Sequence, residues 1–540
     1  MKESPLPSLR DPGSVLLISC YELGHQPLGV AQPMGFLKQA GYSPLSLDLS
    51  VESLERTRIS SVQFIGISVP MHTALTLGFQ VARSIRSFRP SVHICFYGLY
   101  ASLNAQFLLE QVADSVIGGE FETPLLILLD RLEQMATENI DGHSLSMNRE
   151  PPSLLAEDIP GVSTRHHLAP PHLKRQTRGS TLRNTSQTPP VPFSVPSRTT
   201  LPSLDKYAKL DYRGSHQLVG NVEASRGCLH TCLHCPIVPV YQGRFLVIPE
   251  KVVLEDIQQQ VRLGAAHITF EDPDFLNGPR HSLSILRNMH KEFPGLTFDF
   301  TTKIEHILKH RDYFPEFAEL GCLFVISAVE SFSNRVLHHL EKGHTREDVF
   351  TALGLLQTAG ITLRPSLVAF TPWTSLDDYL EMFDLVEVHD LTDAIDPVQF
   401  TVRLLIPPGS SLLTSPAIHP EPVQQFITHL DQAKFQYLWK HPDPRMDTLY
   451  ERTINLVEED SHTGVAPEST FFRLKQLAYE TAGIPYPGKS SPTRDPAHRI
   501  KPPRLTEPWF CCAEPTKQQL EPLHLLNPSE SPNLNQSHHP

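Results

Sequence analysis

The sequence predicts an α/β protein in which a doubly wound parallel sheet comes first, a second series of strand–helix repeats follows, and a helical, proline-rich end closes the chain. Three observations carry this expectation. Apolar runs of strand length alternate with helical stretches of roughly ten to fifteen residues, the pattern of parallel strands covered by crossover helices. The alternation stops across a stretch rich in proline, serine and threonine, and then resumes. Where it resumes, three cysteines, Cys228, Cys232 and Cys235, stand just beyond a strand's C-terminal end, the place where parallel sheets and barrels build their sites.

In the first region a strand is expected over Val15–Cys20, a helical stretch over Pro33–Ala40, a strand over Phe64–Val69, a helix over Thr73–Ser87 and a strand over His93–Tyr97. Residues 14–135 are therefore assigned to one doubly wound domain. Its ligand crevice is expected at the loops Tyr21–Gln26, Pro70–His72, Gly98–Tyr100 and Gly118–Glu120, which follow the strands. Residues 136–200 carry Pro151-Pro152, Pro170-Pro171 and Pro189-Pro190 with few apolar positions, a composition that cannot offset its ordering entropy, and are expected to form a flexible linker.

The second region, residues 201–415, opens with a strand over Gln217–Ser225 that runs into the cysteines. Strands are then expected over His267–Glu271, Thr297–Thr301, Phe324–Val329, Thr362–Phe370 and Pro397–Leu404. Between them helices are expected over Pro249–Leu263, His281–Glu292, Thr345–Ala359 and Leu376–His389, with a helical stretch ending near Leu320. Residues 416–500 read as a helical extension, with stretches over Pro422–Trp439 and Glu468–Ala482, and residues 501–540 as a flexible tail.

Composition narrows the class. A chain of 540 residues exceeds one ordinary core, and 40% hydrophobic with 19% charged residues describes a globular protein with some unstructured stretches. The formal charge of −13 argues against general nucleic-acid binding, which needs a basic face to displace counterions. No run approaches the apolar length needed to cross a membrane, so a cytoplasmic location is expected. Eight cysteines in so long a chain do not make a disulfide framework, and the clustering of three suits metal binding in a reducing compartment.

The segment Cys228-Leu-His-Thr-Cys232-Leu-His-Cys235, entered through Gly227, brings three thiols to one loop. Thiolates hold iron–sulfur clusters, and a four-iron cluster normally takes four. Three leave one iron open to another ligand. Taken alone, the segment also leaves a Cys3His zinc site open, with His230 or His234 as the fourth ligand.

This Cys-x-x-x-Cys-x-x-Cys pattern resembles the signature of radical S-adenosylmethionine (SAM) enzymes, and six strand–helix repeats after it match that family's partial (β/α)6 barrel. The resemblance implies a [4Fe-4S] cluster on Cys228, Cys232 and Cys235, with SAM on the open iron. It implies a low-potential electron donor, a flavodoxin or ferredoxin, and formation of a 5'-deoxyadenosyl radical that acts on an unspecified substrate. The rival reading is a non-catalytic zinc or iron–sulfur electron-transfer module. By the same resemblance, Asp272 or Asp274, after the second strand, meets the amino group of SAM. Glu330, in a segment similar to the family's Gly-Val-Glu-Ser, approaches the pocket near the ribose. His234 stands where the family places an aromatic residue that packs on the adenine, and an imidazole there can either stack or donate a hydrogen bond to cluster sulfur.

The first domain resembles the cobalamin-binding-like domain of many such enzymes, but the Asp-x-His-x-x-Gly motif that supplies a cobalt ligand is absent. His25 stands in the matching loop without the pattern and is not assigned as a ligand. Cobalamin is therefore left open. Finally, Pro508-Trp-Phe-Cys511-Cys512-Ala-Glu-Pro515 resembles the tail of the CUAEP/CCAEP-tail radical SAM family, some members of which carry selenocysteine where Cys512 stands. That implies a second, catalytic thiol centre at Cys511 and Cys512.

Overall fold

Apolar strands covered on both faces form the first of two units into which the computed structural model divides, and a polar-lined sheet forms the second. The structure describes residues 8–138, 159–170, 193–414, 422–488 and 501–507. The first unit takes in residues 1–22 and 29–170, and the second residues 23–28 and 171–513.

In the first unit, β1 (Val15–Ser19), β2 (Leu45–Asp48), β3 (Phe64–Ser68), β4 (His93–Tyr97), β5 (Ser115–Ile117) and β6 (Val162–Ser163) form one sheet in the order β2-β1-β3-β4-β5-β6. The first five strands run parallel, and β6 is antiparallel to β5. Every residue of β1 and β3 is buried, because helices Leu28–Gln39 and His72–Phe88 and their neighbours leave no wet face. The strand order reverses between β1 and β3, so the C-terminal ends of these two strands form the switch-point crevice.

The second unit is built on a sheet of seven strands in the order β14-β13-β12-β11-β8-β7-β17. These are β7 (Lys209–Tyr212), β8 (Ser215–Val222), β11 (His267–Phe270), β12 (Thr297–Thr301), β13 (Cys322–Glu330), β14 (Thr362–Leu367) and β17 (Arg504–Leu505). Strands β8 and β11–β14 are parallel, while β7 and β17 continue the edge antiparallel. The short strands β9 (Ser225–Gly227) and β10 (Phe245–Val247) pair antiparallel and frame the cysteine loop. Helices Glu250–Arg262, Pro279–Glu292 and Arg346–Ala359 return the chain between parallel strands, and Leu376–Val388 follows the last of them. The last two start in capping boxes, Thr345 with Asp348 and Ser375 with Asp378, which satisfy otherwise unpaired amides.

One face of this sheet packs on the helices through Val222, Ile268, Phe270, Phe298, Phe300, Val325 and Leu363, all in one apolar core. Alternation then turns Asn221, His267, Thr269, Asp299 and Arg364 to the opposite, concave face, where they are nonetheless buried. The result is a curled half-barrel with a polar interior.

Four expectations are corrected. The sixth strand, expected over Pro397–Leu404, is a 3-10 turn over Pro397–Thr401, and only a bridge between Phe370 and Arg403 extends the parallel series. Pro397 opens that turn, and proline lacks the amide a ladder needs. The helical stretch expected over Pro422–Trp439 is a hairpin of β15 (Ile427–Asp431) and β16 (Gln436–Trp439), closed where Phe435 adopts φ +54°. The linker expected over 136–200 contains β6, and its Arg198 is fully buried, because partners from distant segments supply what its composition lacks. The flexible tail expected from 501 begins instead with β17, whose edge pairing with β7 orders it.

Candidate functional site

The cysteine loop leaves the C-terminal end of β8 through β9, and its course depends on Gly227. That residue has φ +80°, and a Cβ there would stand 2.5 Å from the Arg244 carbonyl and from the Tyr241 ring. Beyond it, the Leu229 amide donates to Asn277 Oδ1 at 3.2 Å, and the Cys235 amide to the Cys232 carbonyl at 3.1 Å. The Leu233 amide donates to the Leu340 carbonyl, and the Leu412 amide to the Leu233 carbonyl, both at 3.1 Å, so the loop is pinned from two sides. Cys228 and Cys232 are buried, Cys235 is half-buried, and all three are free thiols. Burial pushes the Cys228 thiol up to about 11 and the Cys235 thiol up to about 12, each raised further by the neighbouring Cys232. A metal taken up here must displace those protons. Three unpaired thiols on one pinned loop fit a three-cysteine cluster in donor chemistry.

The acidic residues after β11 divide by strand parity. Asp272 turns back on the loop, accepting from the Ala224 amide at 2.9 Å and the Ser225 hydroxyl at 2.5 Å, so it fixes the exit from β8. Burial raises its carboxyl to about 7 against those hydrogen bonds. Asp274, fully buried, caps the turn at Leu276, accepts from Thr302 Oγ1 at 2.6 Å, and lies 2.9 Å from His306 Nδ1 and 3.4 Å from His230 Nε2. Burial opposes its charge, but the two imidazoles and the hydroxyl outweigh it and hold the carboxyl well below the usual range. Cys228, His230 and Asp274 bring ligand atoms within 4.8 Å of one another. Glu271, which was not singled out, shares the concave face with Asn221, whose Nδ2 donates to it at 2.9 Å, and burial raises its carboxyl to about 8.

Glu330 ends β13 at a register shift and adopts φ +64°, a conformation costly for a side chain of its kind. Its Oε1 meets His234 Nε2 at 3.2 Å and Lys342 Nζ at 3.1 Å. Burial works against the Glu330 charge, but the Lys342 ammonium and then His234 hold its carboxyl far below the usual range. Glu330, expected near the pocket, and His234, expected as a packing residue, are thus brought together by a lysine that sequence reasoning passed over. Arg403 stacks on Trp439 at 3.7 Å and pairs with Asp447, and His339 is buried against Trp373. Cys511 and Cys512 lie outside the described residues.

In the first unit the crevice edge holds an uncommitted group. His72 opens the helix after β3, is fully buried, and neither ring nitrogen has a hydrogen-bond partner among the described residues. Burial lowers it to about 4, so it is a neutral imidazole. Gly98, after β4, has φ +111° and lies where a Cβ would stand 3.2 Å from the Val69 carbonyl. The unpartnered imidazole beside the switch point leaves this edge able to meet a polar partner.

Residues 222–386 match the radical SAM superfamily model. The chain is 24% identical over 360 residues to the hopanoid C-3 methylase of Methylococcus capsulatus, covering 64% of this chain and 62% of the methylase. It is 27% identical to a tRNA-2-methylthio-N(6)-dimethylallyladenosine synthase of Chlorobium phaeovibrioides, covering 31% of this chain and 38% of the synthase. The chain thus spans less than two thirds of the length of either relative. Its fold is similar to the cobalamin-dependent SAM radical enzyme OxsB, with TM-score 0.61 and 16% identity over 87% of this chain and 73% of that one. It is also similar to the radical SAM methyltransferase TsrM of Kitasatospora setae, with TM-score 0.56 and 14% identity over 87% and 99%. No described helix is long and apolar enough to cross a membrane.

Proposed function

With a radical SAM superfamily domain across residues 222–386 as the premise, we propose that this chain is a radical SAM enzyme whose reaction is a cobalamin-assisted methyl transfer. The observation that carries the first half is the pinned loop presenting Cys228, Cys232 and Cys235 as free thiols at the C-terminal end of a parallel half-barrel. The methylase and methyltransferase it resembles, and the unpartnered His72 beside the switch point, support the second half. A zinc module would have no use for a polar concave face of five parallel strands.

In this reading the three thiolates hold a [4Fe-4S] cluster, which supplies the electron for reductive cleavage of SAM, and a low-potential protein donor replenishes it. The chain's own residues do the rest. Asp274, kept charged by His230, His306 and Thr302, presents a negative group behind the loop for a cationic nitrogen. Asp272 positions the loop through the Ala224 and Ser225 contacts. Glu271 and Asn221 line the concave face with a carboxyl that is largely protonated at neutral pH and able to donate a hydrogen bond. Buried walls exclude water from the reacting groups. The tail with Cys511 and Cys512 extends the proposal as a second thiol centre serving the same site.

The experiment is anaerobic reconstitution with iron and sulfide, followed by electron paramagnetic resonance (EPR). A reduced four-iron signal that changes on adding SAM, with 5'-deoxyadenosine released, is the expected result. Zinc in place of iron, or a cluster indifferent to SAM, sinks the proposal. Turnover unchanged after Cys511→Ser and Cys512→Ser would remove the tail from it.

A further inference from the structure

The Lys342–Glu330–His234 group is a buried ionic assembly beside the cysteine loop. Lys342 is 2% exposed and Glu330 6% exposed, and both Lys342 Nζ and His234 Nε2 meet the same oxygen, Glu330 Oε1, at 3.1 and 3.2 Å. Burying such a pair gives little net stability, since apolar residues of like volume commonly serve as well. Glu330 also sits in a strained backbone conformation, and strain of this kind gathers where function requires a placement.

Position gives the assembly its meaning. Lys342 lies two residues beyond Leu340, whose carbonyl accepts the Leu233 amide between Cys232 and Cys235. His234 is the residue just before Cys235. The buried ammonium is thus tied through one oxygen of Glu330 to His234 of the cysteine loop. The Glu330 carboxylate, 3.1 Å away, keeps Lys342 charged despite burial.

Resting on the cluster reading above, we infer that Lys342 is an electrostatic positioning residue that raises the reduction potential of a cluster held by Cys228, Cys232 and Cys235, and that Glu330 restrains it. In the step concerned, one electron passes from the low-potential donor to the cluster, and no bond is made or broken. The product carries one more negative charge than the reactant. A fixed cation in a water-poor surround favours the reduced form, and a fixed anion disfavours it. Pairing the two lets the fold place the potential between the extremes that either charge alone would set.

The test uses the full chain, reconstituted anaerobically, with iron content measured and the midpoint potential read by EPR-monitored redox titration in the absence of SAM. Lys342→Met is expected to shift the reduction equilibrium about tenfold toward the oxidised form, which is 59 mV downward for a one-electron couple. Glu330→Gln is expected to shift it upward, the double variant to fall between the two, and Lys342→Arg, which keeps the charge, to stay near the parent value. Midpoints of Lys342→Met and Glu330→Gln that equal the parent's, or that move in the same direction, overturn the inference. If Lys342→Met loses its cluster, the sign of the Glu330→Gln shift decides. A parent protein with no four-iron signal overturns the cluster reading itself, so the two failures are told apart by iron content and by midpoint.

Discussion

The two parallel sheets of this chain use their faces differently. In the first unit, Leu16, Leu17, Ile18, Phe64, Ile65, Ile67, Ile94 and Phe96 bury apolar side chains on both sides of the sheet, and polar groups such as His72 occur where strands end. In the half-barrel the helix side carries the large apolar core, and the opposite side mixes a small apolar cluster of Leu210, Val219 and Phe324 with polar groups. The concave side carries Asn221, His267, Thr269, Asp299 and Arg364, bound to one another or to close neighbours, as in the 2.8 Å contact of His267 with Asp299 and the 2.7 Å bond of Thr269 to Asp299. A doubly wound sheet can offer a ligand only its edge, whereas a curled sheet offers an edge and an interior. Buried polar groups are tolerated in that interior because they satisfy each other.

The comparison can be broken by experiment. The largest effect is expected at the half-barrel's edge. Replacing Cys228, Cys232 or Cys235 singly with serine should abolish the four-iron signal and most of the bound iron, as read by EPR and iron analysis, while leaving the far-ultraviolet circular dichroism of the apoprotein unchanged. A loss of folded signal instead would make the loop structural. Next in size is the buried support of β8. Arg198, fully buried, donates to Asp256 at 2.9 and 3.0 Å and to the Asn221 carbonyl at 2.7 Å. Arg198→Met leaves Asp256 buried and unpaired, so chemical denaturation of the second unit should register a loss of about 3 to 5 kcal/mol. The double variant with Asp256→Leu should recover much of it.

A smaller effect is expected in the first unit, and it depends on pH. His72 is lowered from its ordinary 6.5 to about 4 by burial, so the folded protein binds its proton less readily than the unfolded chain. Its contribution to stability is complete above the unfolded value and is lost as pH falls through the folded one, roughly 3 kcal/mol across that window. The melting temperature of the first unit should therefore drop between neutrality and pH 4, and His72→Phe should flatten that part of the profile. An unchanged slope would show that His72 already has a polar partner.

How much of this was legible depends on sequence distance. The cysteine loop was readable because its donors lie within eight residues, and Glu330 because its segment resembles the family's Gly-Val-Glu-Ser. The acids after β11 were visible as a group, but their division was not. Parity turns Glu271 to the concave face, while Asp272 folds back onto Ala224 and Ser225, 48 and 47 residues away. Lys342 reaches Glu330 across 12 residues and a change of element, and Arg198 reaches Asp256 across 58 from within a stretch whose composition reads as a tether. No periodic pattern records such pairings.

Periodicity and spacing by themselves determined the α/β class, the two series of strands, and the loop that offers three thiols, because those properties are local. Tertiary structure decided which buried charges meet. It turned Pro397–Thr401 out of the sheet, made a hairpin of residues 427–439, set Lys342 and His234 on one oxygen of Glu330, and gave Arg198 its partners. The reason is energetic. An apolar residue is served by any dry neighbour, so its pattern suffices, but a buried charge needs one particular partner at hydrogen-bond distance, and only the closed fold supplies it.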